Sequence, residues 1–205
     1  MTEISQHPYD AFIPEGADKL IIGTIPPYRF CQKDKETLYS ADVDFYYGSK
    51  DNYFWKLLSD IFNIRLTYKN TVEAIEERKQ LLSDIHSGIT DIVGACIHTE
   101  KRSDDASLSM IQQKNISDLL LQNPDINELI YTSRFVIRQV NASLAHFCGC
   151  GVRHKWQSDS RLDGSVRING RLYTVHILYS PSPNALRSVI SEKRIERYKE
   201  VFKSE

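Results

Sequence analysis

The chain has 205 residues, with 26 Lys and Arg against 27 Asp and Glu, for a formal net charge of −1. That length suits one α/β domain with a real core and is short for two, and a hydrophobic fraction of 41% with 26% charged residues is ordinary for a globular protein. A near-neutral balance excludes binding to nucleic acid through the field of the whole molecule, so any such contact must come from a local basic face.

Residues 19–24 (KLIIGT) form a short apolar, β-branched run ending at Gly-Thr and two prolines. The run predicts a buried parallel strand followed by a sharp loop. Residues 28–50 read as loop. Over 51–62 the spacing of Phe54, Leu57, Leu58, Ile61 and Phe62 predicts an amphipathic helix with Asp51 as its N-cap. A second helix is expected over 71–86, with Ile75, Leu81, Leu82 and Ile85 inward and Gly88 closing it. Residues 89–97 (ITDIVGACI) suit a second buried strand, and 99–109 a charged loop. A helix over 111–122, a strand over 128–133 and a helix over 135–147 follow. After an irregular stretch over 148–164, residues 166–168 and 172–180 predict a hairpin turning at Asn169-Gly170. A helix over 184–202 closes the chain. Alternating strands and helices predict one domain over 1–205, a three-layer αβα sandwich around a mainly parallel four-stranded sheet. Ligands of such sheets gather at the carboxyl ends of the strands.

No run of about 18 apolar residues offers a membrane span, and MTEISQHPYD carries neither a basic nor an apolar leader. Cys31, Cys96, Cys148 and Cys150 form no C-x-x-C pair and have no His at zinc spacing. Reduced thiols in the cytoplasm are therefore expected, without a structural metal or cluster.

Three pieces of sequence stand out at the loops where a ligand is expected. The first is Gly23-Thr24-Ile25-Pro26-Pro27, where glycine permits close approach and the prolines stiffen the loop. A rigid strand-to-loop turn accounts for it equally well. The second runs from Phe45 through Tyr46, Tyr47 and Gly48 to Asn52-Tyr53-Phe54-Trp55. Aromatic faces there can stack on a nucleobase, and the Asn52 amide can orient a water or a base edge. The alternative is that the aromatics are core and Asn52 caps a helix. The third is Ser180-Pro181-Ser182-Pro183-Asn184-Ala185-Leu186-Arg187, a stiff loop whose hydroxyls suit phosphate and whose Leu or Arg can occupy the space left by an unstacked base. A Ser/Pro loop entering a helix near Asn184 is the plain alternative.

In this order GTIPP, FYYGSKDNYFW and LYSPSPNALR resemble the motifs of the uracil-DNA glycosylase superfamily, especially its mismatch-specific and hypoxanthine-type branches. HPYDAFIPEGADKLIIGTIPP and the segment Asp91-Ile92-Val93-Gly94-Ala95-Cys96 fit the hypoxanthine-type branch as well. The chain departs from many members at two places. Ile25 stands where an Asp or Asn positions the attacking water, and Ser180 stands where a His helps stabilise the departing base.

The resemblance implies hydrolysis of the N-glycosidic bond of a deaminated base, namely hypoxanthine, uracil or xanthine, flipped out of DNA in base-excision repair. It implies no cofactor, DNA as partner, and a monomer. Asn52, Thr24 and Ile25 become the candidate catalytic positions. Tyr46, Tyr47, Gly23 and Pro26 are the candidate base pocket, and Ser180, Ser182, Asn184, Leu186 and Arg187 the DNA contacts. Lys50, Arg134, Arg138, Arg153, Lys155, Arg187 and Arg194 are candidate phosphate contacts, whereas His98 and His176 read as structural. The rival is a module on the same fold that binds a damaged base without cleaving it, which Ile25 and Ser180 favour. An unrelated α/β hydrolase or transferase is disfavoured, because G-x-S-x-G, P-loop and G-x-G-x-x-G motifs are missing.

Overall fold

A β-branched run with no polar interruption can be buried on both faces, and Lys19–Gly23 is such a run. In the computed structural model, which describes residues 4–32, 37–102, 104–149, 153–187 and 191–203, it lies inside a mixed sheet. The elements in chain order are β1 (Ser5–Gln6), β2 (Lys19–Gly23), α1 (Phe54–Phe62), α2 (Val72–Asp84), β3 (Ser87–Asp91), β4 (Val93–His98), β5 (Leu108–Gln113), α3 (Ile116–Gln122), β6 (Glu128–Tyr131), α4 (Arg134–Cys148), β7 (Lys155–Trp156), β8 (Asp163–Ile168), β9 (Arg171–Ile177) and α5 (Ser191–Phe202). The main sheet has the order β3-β2-β6-β9-β8-β7. Its first four strands pair in parallel, and β8 and β7 extend it antiparallel. A second, antiparallel sheet has the order β1-β4-β5. The expected four-stranded sheet therefore falls short. The parallel strands form only part of a six-stranded mixed sheet, and a separate sheet stands beside it.

Alternation along the central strands sorts side chains into two cores. Leu20, Ile22, Leu129, Tyr131, Val175 and Ile177 pack with Ile116, Val136, Val140 and Leu144 of α3 and α4. Ile21, Ile89 and Ile130 pack on the opposite face with Phe54, Leu58, Leu82 and Tyr198 of α1, α2 and α5. Helices thus cover both faces, as the alternating pattern requires. The Asn169-Gly170 turn has φ of 50° and 80°, as a two-residue hairpin demands.

Four local expectations change. The strand over 89–97 breaks after Asp91, because the Ile92 and Val93 amides donate to the carbonyls of Gly23 and Thr24 at 2.9 and 3.0 Å. That crossover carries the chain out of the main sheet and ties down the loop after β2. Residues 111–113 belong to β5, paired with β4, and α3 begins only at Ile116, where the Asn115 side chain accepts from the Asp118 amide. Cross-strand pairing overrides the helical spacing there. Gly88 lies within β3, and His86, at φ 51°, makes the left-handed turn after α2. The closing helix consists of a short 3-10 turn, Pro183–Arg187, followed by α5. Among the described residues no helix is long and apolar enough to cross a membrane.

Candidate active site

Each loop of the site is held by a specific set of bonds. Gly23 ends β2, and a Cβ placed on it would run into Asp91 Oδ1 and the Tyr47 hydroxyl. The glycine is needed for this close approach and not for an unusual backbone angle. In the second segment Val43 N donates to Gly48 O at 2.8 Å and Gly48 N to Phe45 O at 2.9 Å, while Tyr47 takes φ 53°. This turn swings the Tyr47 ring onto Phe54, with centroids 4.5 Å apart and planes at 26°. The Tyr47 hydroxyl donates to Thr132 Oγ1 at 2.7 Å. Burial, then the nearby Asp91 charge, pushes its pKa well up, so it remains a neutral donor.

Asp42 organises the turn from below. It accepts from Arg29 Nε and Nη2 at 2.8 and 3.0 Å and from the Lys50 and Tyr39 amides at 2.8 and 2.9 Å. Burial works to raise its pKa, but these donors hold the carboxyl below the ordinary carboxylate range. Asn52 Oδ1 accepts from the Phe54 amide at 2.9 Å, an Asx turn that satisfies one orphan donor at the start of α1. The expected cap at Asp51 is not formed, and α1 has Tyr53 at its N-cap. In turn, Tyr53 N donates to Pro181 O at 3.0 Å, tying the second segment to the third. In the Ser/Pro loop Ser182 N donates to Ser180 Oγ at 3.3 Å, and Ala185 N to Ser182 O at 3.0 Å.

The three loops enclose one cavity of about 540 Å³, within the usual range for small-molecule sites. Thr24, Ile25, Pro26, Tyr47, Asn52, Ser180, Ser182 and Asn184 all line it. Gly23 lies just behind the wall as the spacer described above. Tyr46 does not line it. It is completely buried, its hydroxyl donates to the carbonyl of Asp10 at 2.9 Å, and its carbonyl receives the Trp55 Nε1 proton at 2.7 Å. Tyr46 is therefore core, and of the two tyrosines only Tyr47 lines the cavity. The backbone of Leu186 and Arg187 lies in the 3-10 turn, but their side chains are outside the described part of the structure.

Three acids missed in the sequence reading also line the cavity: Asp91, Asp104 and Asp105. Asp91 ends β3, its side chain is only 6% exposed, and His7 Nε2 lies 2.9 Å from Oδ2. A carboxylate only accepts, so Nε2 is the donor. Lys114 Nζ braces His7 from behind at 3.1 Å. Asp105 opens a short 3-10 turn, and the Thr24 side chain hydrogen-bonds to it. Burial, with the Asp104 and Asp91 charges, raises its pKa against the opposing pull of Thr24 and Arg138. The legible signal was a charged residue inside the apolar run ITDIV, because an acid in a buried strand needs a partner or a purpose. Ser133 also lines the cavity, at the N-cap of α4, and its hydroxyl has no partner among the described residues. No three His, Cys, Asp or Glu side chains converge as metal ligands among the described residues.

The remaining candidates scatter. Arg194 is buried and donates to the Ala185 carbonyl at 3.0 Å, so it braces the third loop from inside. Arg134 donates to Ser160 O at 2.6 Å, and Lys50 pairs with Asp51 at 2.9 Å. Arg138 lies over the Phe135 ring, Lys155 is exposed on β7, and Arg153 lines a separate shallow hollow with Arg167 and Asn169. His98 is buried beside Ser5 at 3.1 Å, and His176 pairs with Asp163 at 2.7 Å and Glu128 at 3.6 Å. Neither lines the cavity.

No protein-family model matches the chain, and no curated protein does. Among solved structures, the solution NMR structure of a candidate uracil DNA glycosylase from Methanosarcina acetivorans aligns over 98% of this chain and 97% of that one, with a TM-score of 0.61. The two are 19% identical, so what they share is the fold.

Proposed function

We propose that this chain is a monofunctional DNA glycosylase of the uracil-DNA glycosylase superfamily, acting on a deaminated base flipped out of DNA, with the mismatch-specific and hypoxanthine-type branches as its nearest relatives. The observation that carries the reading is the buried Asp91 carboxylate on the wall of an aromatic-lined cavity. An enzyme that reads a flipped base does so along its Watson–Crick edge. Adenine and cytosine present an acceptor nitrogen at the centre of that edge. Deamination to hypoxanthine or uracil converts that nitrogen to an N–H donor, and xanthine carries the same donor. A fixed acceptor with one oxygen held by His7 accepts these bases and repels adenine and cytosine. It does not by itself separate them from guanine or thymine, which carry the same central donor, and that is left to the cost of unpairing.

Around that anchor the other groups have compatible roles. Tyr47, stacked on Phe54, supplies a rigid aromatic wall. Asn52 has its oxygen committed to the Phe54 amide, so what it offers a ligand is its NH₂, a donor suited to a base carbonyl. The amino end of α4, with the Ser133 hydroxyl, favours negative charge on the departing base. Thr24, Ile25 and Pro26 form the wall at the end of β2. Ser180, Ser182 and Asn184 line the cavity from the third loop, with hydroxyl and amide groups suited to the flanking phosphates.

The test is a single-turnover assay with excess protein and labelled single- and double-stranded oligonucleotides bearing hypoxanthine, uracil or xanthine, followed by alkali. Cleavage of at least one substrate, reduced about 10- to 100-fold by Asn52→Ala with DNA affinity retained, is expected from the loss of one donor to the reacting base. Ile25 and Ser180, neutral at the two places where a charge or an imidazole was expected, favour the second reading, a binder that does not cleave. Tight binding to a lesion duplex with no strand break from any of the three substrates would establish that reading instead.

A further inference from the structure

If the chain is a glycosylase, some group must take the proton of the attacking water, and the residues that line the cavity narrow the choice. Ile25 cannot do it. The Asn52 oxygen is occupied by the Phe54 amide, and an amide is in any case a poor base. Asp91 is buried, with one oxygen held by His7, which suits a fixed acceptor for the base edge. Asp51 is paired with Lys50 and its side chain is 53% exposed. Asp104 is paired with Arg102 at 3.0 Å. Asp105 is left, half-buried in the cavity wall and steadied by Thr24 from the first loop.

We propose that Asp105 is the general base of the reaction, positioned by Thr24 to receive a proton from the water that attacks the sugar. The proposal rests on the glycosylase reading above. In the step, the C1′–N bond breaks and its electron pair leaves with the base. The water oxygen bonds to C1′, one water proton passes to Asp105, and the base anion is later protonated from solvent. The charged and titratable groups facing Asp105 are Asp104 beside it, Asp91 across the cavity, Arg138 from α4 and the Tyr47 hydroxyl. Burial and the two acids bring its proton affinity closer to working pH than that of an ordinary carboxylate, the condition under which a general base is most effective.

The variant Asp105→Asn keeps the shape and a Thr24 partner but cannot accept a proton. Single-turnover rates on the three lesion oligonucleotides are measured across pH, with binding followed by anisotropy on duplexes carrying a 2′-fluorinated target nucleotide. D105N is expected to be slower by about 10²- to 10⁴-fold, with binding and melting temperature unchanged. The rising limb of the wild-type pH–rate profile is expected to vanish. A second variant, Asp105→Ala, should recover rate when formate is added, which a purely structural role would not allow. D105N at the wild-type rate, a retained rising limb, or D105A that formate does not rescue overturns the assignment and leaves the glycosylase reading in place. A wild-type protein that cleaves none of the substrates overturns both.

Discussion

Asp91→Asn separates recognition from architecture. The carboxylate accepts from His7 through Oδ2, and Oδ1 lies against Gly23 and the Tyr47 hydroxyl. With asparagine, the amide oxygen takes over the His7 bond and an NH₂ group replaces Oδ1, so a donor stands where an acceptor stood. A hydrogen bond to a charged group contributes about 1.5–3 kcal/mol, and a side chain only 6% exposed loses little of that to solvent. On the scale of about 1.4 kcal/mol per decade, kcat/KM for hypoxanthine or uracil should fall about 10- to 150-fold. Activity on adenine or cytosine opposite a mismatch should rise from the undetectable. The assay is competitive single turnover on paired lesion and normal-base oligonucleotides, with thermal melting to confirm folding. A folded D91N with wild-type rate and wild-type preference would refute the argument, and Asp91 would then be a structural partner of His7.

Gly23→Ala should strike Asp91 and Tyr47 together and displace the Tyr47–Thr132 bond. Overpacking of this kind costs about 1–3 kcal/mol, so melting several degrees lower with turnover lost is expected, and an unchanged melting point would contradict the close approach. His154 bonds to the Tyr131 hydroxyl at 3.1 Å and stacks on Trp156, and burial lowers its pKa to about 4. The unfolded chain therefore binds the extra proton first. The stabilisation is complete above pH about 6.5 and is lost as pH falls toward about 4, so melting curves over that window should drop more steeply for the wild type than for His154→Gln. Binding to DNA should depend only modestly on salt, because among the described residues the cavity lining carries one cation, Arg29, beside Asp51, Asp91, Asp104 and Asp105. With no more than about three phosphate cations engaged, affinity should fall less than about 40-fold between 50 and 200 mM salt, and a steeper slope would place a basic face in the contact.

Much of the site was legible because two of its three loops follow strands that announce themselves. KLIIG and the apolar run ending at Ser180 were readable as buried strands, and punctuation by Gly, Pro and Ser marked where they stop. Tyr46 and Tyr47 were not separable by sequence. They are adjacent aromatics, and only the φ of 53° at Tyr47 turns one ring into the cavity and leaves the other in the core. The break after Asp91 was equally invisible, since ITDIVGACI is apolar throughout apart from two residues. What splits it is a pair of amides that bond to the loop after β2, a tertiary contact with no local signature. The hairpin at Asn169-Gly170 was readable, whereas the start of β8 and all of β7 were not, because Lys155–Trp156 is too short to show a period.

The four parallel strands lie side by side in the order β3, β2, β6, β9. Asp91, Thr24, Thr132 and Ser180, each at or just beyond the carboxyl end of one of them, all reach the same cavity. A polar group can therefore reach this cavity from any of several neighbouring elements. Ile25 and Ser180 offer no charge at the ends of β2 and β9. Asp91 supplies a carboxylate at the end of β3, and Asp105 supplies another from the turn that bonds to Thr24. A motif read along one strand misses these acids, because they lie about 65 to 90 residues from Ile25 and Ser180 along the chain.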